Sequence, residues 1–270
     1  MPIPEIEKQS ISEIKLFQEK ALKDMLQYLN RNSRFYQHHF KKHHIEIEKI
    51  KHLEDLQHIP PTRKEDLQKK NEDFICVNRN RIIDYITTSG TSGDPVTFAM
   101  TDHDLDRLAY NEYLGFRCAG CTHNEIFQLM TTIDRRFMAG LAYFLGSRRL
   151  KAAMVRVGNG IPELQWESIK RFSPTALIAV PSFLLNIIDY AERNGIDHHA
   201  SGVTKAICIG DALRQTDFSL NTLGKKIKER WPELQCYSTY ASTEMATSFT
   251  ECQYGIGGHH HPELIIVEFL

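Results

Sequence analysis

What this 270-residue chain has little of already narrows its function. It has almost no net charge: 33 Lys and Arg stand against 34 Asp and Glu, a formal balance of −1. A broad electrostatic hold on nucleic acid or an acidic lipid surface is therefore not expected. No run approaches the ~18–20 apolar residues of a membrane span. The opening residues, MPIPEIEKQS, lack the basic-then-apolar pattern of a secretory leader. Six scattered cysteines are too few for a disulfide scaffold and read as reduced thiols. Neither the G-K-[ST] of a Walker loop nor a G-x-G-x-x-G dinucleotide fingerprint occurs. A soluble, cytoplasmic protein is expected, with neither nucleic-acid nor membrane partners.

What is present fits a globular enzyme. Hydrophobic residues make up 41% and charged residues 25%, enough apolar content for a packed core. Ser10 and Glu13 form a capping box ahead of a helix over residues 10–31, whose apolar face is read as Ile11, Ile14, Phe17, Ala21, Leu22, Met25 and Leu29. Short helical pieces rich in Lys, His and Glu follow to about residue 73. From Arg81 the composition turns β-branched, so residues 1–80 read as a helical segment and 81–270 as an α/β core.

Within that core, strands are expected at 81–88, 126–131, 151–157, 175–180, 206–209 and 235–239. Helices are expected from Thr101 to Arg117, over Leu141–Leu145, from Pro162, over Ser182–Asn194 and over Asp217–Trp231. Strands separated by helices imply an α/β fold with mostly parallel sheets flanked by helices. The final run, Leu264–Phe269, is apolar and β-like.

Three features invite chemistry. The segment Thr87–Pro95 (TTSGTSGDP) is dense in hydroxyls and glycine, so backbone N–H groups and side-chain donors can converge on an anion, or the segment is a plain flexible turn. Cys118 and Cys121 form a C-x-x-C, but Cys118 falls in the last turn of a helix capped by Gly120, which favours a structural pair. Histidines cluster at 259–261, seven residues after Cys252.

The motif T-S-G-T-S-G-D-P resembles the phosphate loop of the adenylate-forming (acyl-CoA synthetase-like) superfamily. Further stretches, in the same order, resemble its phenylacetate–CoA ligase branch. These are NSRFYQHHF with KHLEDLQHIPPTRKEDLQ, then FSPTALIAVPSFLLNI, IGDALR, and YASTE followed by ECQYGIGGHHHPELIIVEFL. The resemblance runs from about Asn32 to the last residue. It implies the large N-terminal domain of an AMP-forming ligase that activates an aryl or short acyl carboxylic acid with ATP. CoA or a carrier-protein phosphopantetheine would then take the acyl group as a thioester.

The resemblance also distributes roles. Ser89, Gly90, Thr91, Ser92 and Gly93 would hold the β- and γ-phosphates of ATP, although Asp94 stands where many relatives carry lysine. Gly210, Asp211 and Ala212 would line the adenine, and Tyr240 would stack on it. Thr243 would contact the α-phosphate and Glu244 would bind Mg²⁺, these two being the catalytic residues. The acid pocket is placed near Phe137, Met138, Ala139, Gly140, Pro181 and Ser182, against the alternative that these are plain core. Cys252 and His259 match half of a zinc site in some relatives, with His260 or His261 as substitutes, against a purely structural role.

Family members continue beyond the motifs seen here, through a β-rich subdomain and a C-terminal lid domain. The chain is accordingly expected to be an N-terminal portion, with a core incomplete at its end and the lid absent. A non-catalytic remnant that serves association, for instance as a homodimer, is the alternative.

Overall fold

A computed structural model of the chain describes residues 4–88 and 95–269. The chain divides into two compact units: residues 1–102 with 261–270, and residues 103–260. Among the described residues no helix is long and apolar enough to cross a membrane.

The first unit is mainly helical. Helix α1 (Ile11–Asn32) starts where expected, with Glu13 N donating to Ser10 Oγ and Ser10 N donating to Glu13 Oε2. Its buried face differs from the apolar stripe read in the sequence. Gln18, Leu22 and Leu26 are buried, whereas Ile11 is 87% exposed and Met25 and Phe17 are also exposed. The register is set by what α1 packs against: Leu22 and Leu26 meet Phe40 of α2 (Arg34–Lys42) and Ile50. Gln18 is tolerated inside because its amide donates to the Pro262 and Ile265 carbonyls.

After the short α3 (Lys64–Lys69), β1 (Asp84–Thr87) and β2 (Thr97–Met100) pair antiparallel, from Asp84 opposite Met100 to Thr87 opposite Thr97. Ser89, Gly90, Thr91, Ser92, Gly93 and Asp94, to which the phosphate role was assigned, lie outside the described residues. The run Leu264–Phe269 is not a strand. Ile266 instead packs, partly buried, on the helical cluster, while Val267 and Phe269 are exposed.

The second unit is a six-stranded sheet in the order β4-β3-β5-β6-β7-β8. The elements are α4 (Asp102–Cys118), β3 (Ile126–Leu129), α5 (Met138–Leu150), β4 (Ala153–Arg156), α6 (Pro162–Phe172) and β5 (Ala176–Ala179), followed by α7 (Pro181–Arg193), β6 (Lys205–Cys208), α8 (Thr222–Arg230), β7 (Gln235–Ser242) and β8 (Thr247–Thr250). All pairings are parallel except β7 with β8. This is the mostly parallel sheet flanked by helices that the sequence implied.

The central strand, β5, is Ala-Leu-Ile-Ala and wholly buried, as a strand covered on both faces must be. One face packs α6, α7 and α8 through Ile169, Leu184, Ile188, Ile227 and a stacked Trp166–Trp231 pair, 5.8 Å between ring centroids. The other carries α4 and α5, where Phe116 meets Phe127 at 4.4 Å and Tyr143 at 5.8 Å. Gly146 lets α5 cross α4 closely, since a Cβ there would lie 2.5 Å from Glu112 Cβ.

Helix α8 is shorter than the expected Asp217–Trp231. Asp217 Oδ1 accepts from both Ser219 N and Ser219 Oγ, and Phe218 adopts a positive φ, so the chain turns there before Asn221 caps the helix. Strands β2 and β8 carry no sequence-based expectation; both are four-residue segments whose pairing comes from a hairpin partner.

Candidate active site

In this unit the carboxyl ends of β3, β6 and β7 converge, the end of a parallel sheet at which open α/β folds bind ligands. Strand order reverses at β3, which has β4 on one side and β5 on the other. A cavity of about 190 Å³ opens at these ends. Its walls include Phe137 just before α5 with Met138 and Ala139 at its start, Gly210 after β6, Thr239, Ala241 and Ser242 of β7, Thr243 just after it, and Asn111 and Glu112 of α4. A larger groove of about 520 Å³ lies between α6 and α7, lined by Trp166, Lys170 and Tyr190. It flanks the helices rather than the strand ends and touches none of the assigned residues.

Three assigned groups therefore meet in one cavity: Phe137, Met138 and Ala139 of the acid pocket, Gly210 of the adenine turn, and Thr243. The others are close in the chain but differently employed. Gly140 follows them in α5 and is pressed against the preceding loop, for a Cβ there would sit 1.9 Å from the Thr132 carbonyl oxygen. Pro181 is the first residue of α7 and buried. Asp211 Oδ2 accepts from Ser182 N at 3.2 Å, so these two residues join the β6 turn to the α7 N-terminus. Gly210 adopts φ +85°, which spares the turn a side chain facing Val180. Ala212 is exposed beside it.

Thr243 and Glu244 stand in the turn between β7 and β8. Ala246 N donates to the Thr243 carbonyl, and the Arg107 guanidinium of α4 donates to the Ala246 carbonyl. Glu244 is exposed. Tyr240 is 68% exposed, and its ring is nearly parallel to that of Phe249 across the strand pair, with an interplanar angle of 5° and ring centroids 6.3 Å apart.

 The outer face of Tyr240 is left open to solvent.

The sequence reading missed the polar wall on the opposite side of the cavity. Asn111 Nδ2 donates to Glu112 Oε1 and to Ser248 Oγ, both at 2.9 Å, and Asn111 Oδ1 accepts from Thr247 Oγ1 and Ser248 N. Ser248 Oγ also donates to Glu112 Oε1, at 3.3 Å. Burial pushes the Glu112 carboxyl up to about 7, and the Ser248 and Asn111 hydrogen bonds only partly offset it. Tyr143, also on the wall, hydrogen-bonds with Thr239, and burial raises its phenol well above the ordinary value.

Cys252 and His259 flank the isolated bridge between Glu251 and Gly258, Cys252 half-buried and His259 exposed. Among the described residues the one group of three side chains able to share a metal ion is Glu7, His261 and Glu263, in the first unit. It includes neither Cys252 nor His259.

No family model matches the chain. It is 28% identical over 189 residues to the phenylacetate-coenzyme A ligase of Escherichia coli (strain K12), covering 70% of this chain and 43% of that ligase. With the phenylacetate-coenzyme A ligase of Aromatoleum evansii it shares 28% identity over 204 residues, 75% of this chain and 46% of the other. An open conformation of 2-hydroxyisobutyryl-CoA ligase, in complex with 2-HIB-AMP and CoA, superposes with a TM-score of 0.80 at 18% identity. That match covers 91% of this chain and 55% of the other. The chain shares its fold with that ligase. Its sequence is similar to those of phenylacetate-coenzyme A ligases, and it spans less than half the length of these two.

Proposed function

We propose that the chain forms the ATP- and acid-binding part of an AMP-forming carboxylate–thiol ligase. The observation that supports this most is the single cavity shared by Phe137, Met138 and Ala139, by Gly210 and by Thr243 at the carboxyl ends of the strands. A carboxylic acid held along Phe137–Ala139 places its carboxylate toward the turn that carries Thr243. An oxygen of that carboxylate attacks the α-phosphorus of ATP, and the bond to pyrophosphate breaks. AMP then serves as the leaving group when the thiol of CoA, or of a carrier-protein phosphopantetheine, takes the acyl group.

The chain's own residues bind and neutralise charge in this scheme. Adenine lies against the open Gly210 turn and the exposed face of Tyr240. The Thr243 hydroxyl donates to the α-phosphate. Glu244 fits a magnesium role by chemistry, being an exposed carboxylate beside Thr243, and the ion supplies charge neutralisation on the phosphates when bound. Ser89–Gly93 contribute donors to the β- and γ-phosphates.

Ligand linkage tests the proposal. A non-hydrolysable acyl-sulfamoyl adenosine at a hundredfold excess over its Kd should stabilise the chain by about 2.7 kcal/mol. Thr243→Ala should weaken that shift while leaving the unliganded melting temperature nearly unchanged. No shift with any aryl or short acyl analogue, or with MgATP, refutes the proposal.

A further inference from the structure

The Glu112 side chain lies on the wall of the proposed acid cavity, and the scheme above gives it no task. Its two oxygens are treated differently. Oε1 accepts from both Asn111 and Ser248, whereas Oε2 receives no hydrogen bond from the described residues. Asn111 is itself held by Thr247 and Ser248, so the carboxyl is fixed in place by α4 and β8. Gly146 packs against the Glu112 Cβ from the third side. A carboxyl this buried stands where a plain apolar core residue would be cheaper for stability, and Oε2, which is not among the fully buried unpartnered atoms, retains accessible surface on a residue that lines the cavity.

We infer that Glu112 is a specificity residue, which hydrogen-bonds through Oε2 to a hydroxyl group on the carboxylic acid substrate. This deepens the proposed ligase reading and rests on it. The choice of hydroxyl follows from the hydrogen-bonding inventory. With two donors already on Oε1, a proton on this carboxyl resides on Oε2, which then donates; once ionised, Oε2 only accepts. A hydroxyl satisfies both forms. An ether satisfies only the first and an ammonium only the second. An unsubstituted phenyl or alkyl acid filling the cavity leaves Oε2 dry and unpaired.

The test uses the full chain and matched pairs of acyl-sulfamoyl adenosines in isothermal titration calorimetry: phenylacetyl against 4-hydroxyphenylacetyl, and isobutyryl against 2-hydroxyisobutyryl. In at least one pair the hydroxylated member should bind about tenfold or more tightly, the factor that one unpaired buried polar group produces. Glu112→Leu should abolish that preference by weakening the hydroxylated member. Glu112→Gln, which retains a donor at the Oε2 position and an acceptor for Asn111 and Ser248, should keep it. Equal binding within both pairs by the unaltered chain overturns the inference and leaves the ligase reading standing, whatever the variants do. A preference that survives in folded Glu112→Leu also overturns it. If no analogue binds at all, the ligase reading fails and the inference falls with it.

Discussion

Replacing Glu112 by glutamine should change how stability depends on pH. The carboxyl is held at about 7 against an ordinary 4.5, chiefly because burial disfavours its charge. At 1.36 kcal/mol per unit this is about 3 kcal/mol. Between these two values the folded chain keeps a proton that the unfolded chain has released. Stability is therefore full below about pH 4.5, falls as pH rises toward 7, and levels off above it. The amide of Glu112→Gln has the same shape, its oxygen can still accept from Asn111 and Ser248, and it does not titrate.

Near pH 4 the two proteins should be within about 0.5 kcal/mol, a difference typical of a neutral substitution. At pH 8 the variant should be the more stable by about 3 kcal/mol, or roughly 5 °C in melting temperature for a chain of this size. Urea denaturation at several pH values measures this directly. Both tryptophans, Trp166 and Trp231, lie in the same compact unit as Glu112, so their fluorescence reports on the relevant unfolding. Parallel stability curves for the two proteins from pH 5 to 8 would show that the carboxyl ionises without cost and would refute the reasoning.

Two further outcomes follow from close contacts. Gly140→Ala places a methyl into the Thr132 carbonyl, so α5 must move away from the loop that precedes it. A loss of about 1–3 kcal/mol is expected, with adenosine-analogue binding weakened as Phe137–Ala139 shift; an unchanged melting temperature would contradict the packing described. Glu7→Ala removes the partner of His261 Nδ1, 2.5 Å away, from an imidazole that is only 4% exposed. Denaturation should show a cost of about 1–3 kcal/mol from the polar atom left buried, and a cost below the error of measurement would mean that the pair contributes nothing.

The alternation of strands and helices was legible because a strand buried on both faces must be apolar throughout. Ala176–Ala179 and Ala206–Cys208 have that character, and the helices that follow them begin at proline or at a capping side chain. The extent of α5 was not legible: only Leu141–Leu145 stood out, because Gly140 and Gly146 lower helix propensity while serving close approach to other backbone. Strand β8, Thr-Ser-Phe-Thr, is short and polar, and its burial depends on α4 and β7 rather than on its own composition.

Missing β8 also hid Glu112. In the run Leu108–Phe116, Asn111 and Glu112 look like a solvated stretch; only Ser248, from a strand the sequence did not announce, turns them into an interior network. A signal did exist in the helical spacing, since Leu108, Asn111, Glu112, Gly115 and Phe116 share one face with residues that are certainly buried. Of the assigned site residues, Phe137, Met138, Ala139, Gly210 and Thr243 came together because β–α turns at one end of a parallel sheet are forced to converge.

The segment from His261 to Phe269 belongs to the same compact unit as α1, with Gln18 holding Pro262 and Ile265 and Glu7 holding His261. During synthesis, the first hundred residues therefore leave the ribosome lacking a part of their own packing. The whole sheet unit, residues 103–260, emerges before that part becomes available. The sheet can form early, while the helical unit is closed later, by residues 261–269. A chain cut anywhere in between would leave Gln18 and Glu7 without the partners that bury them.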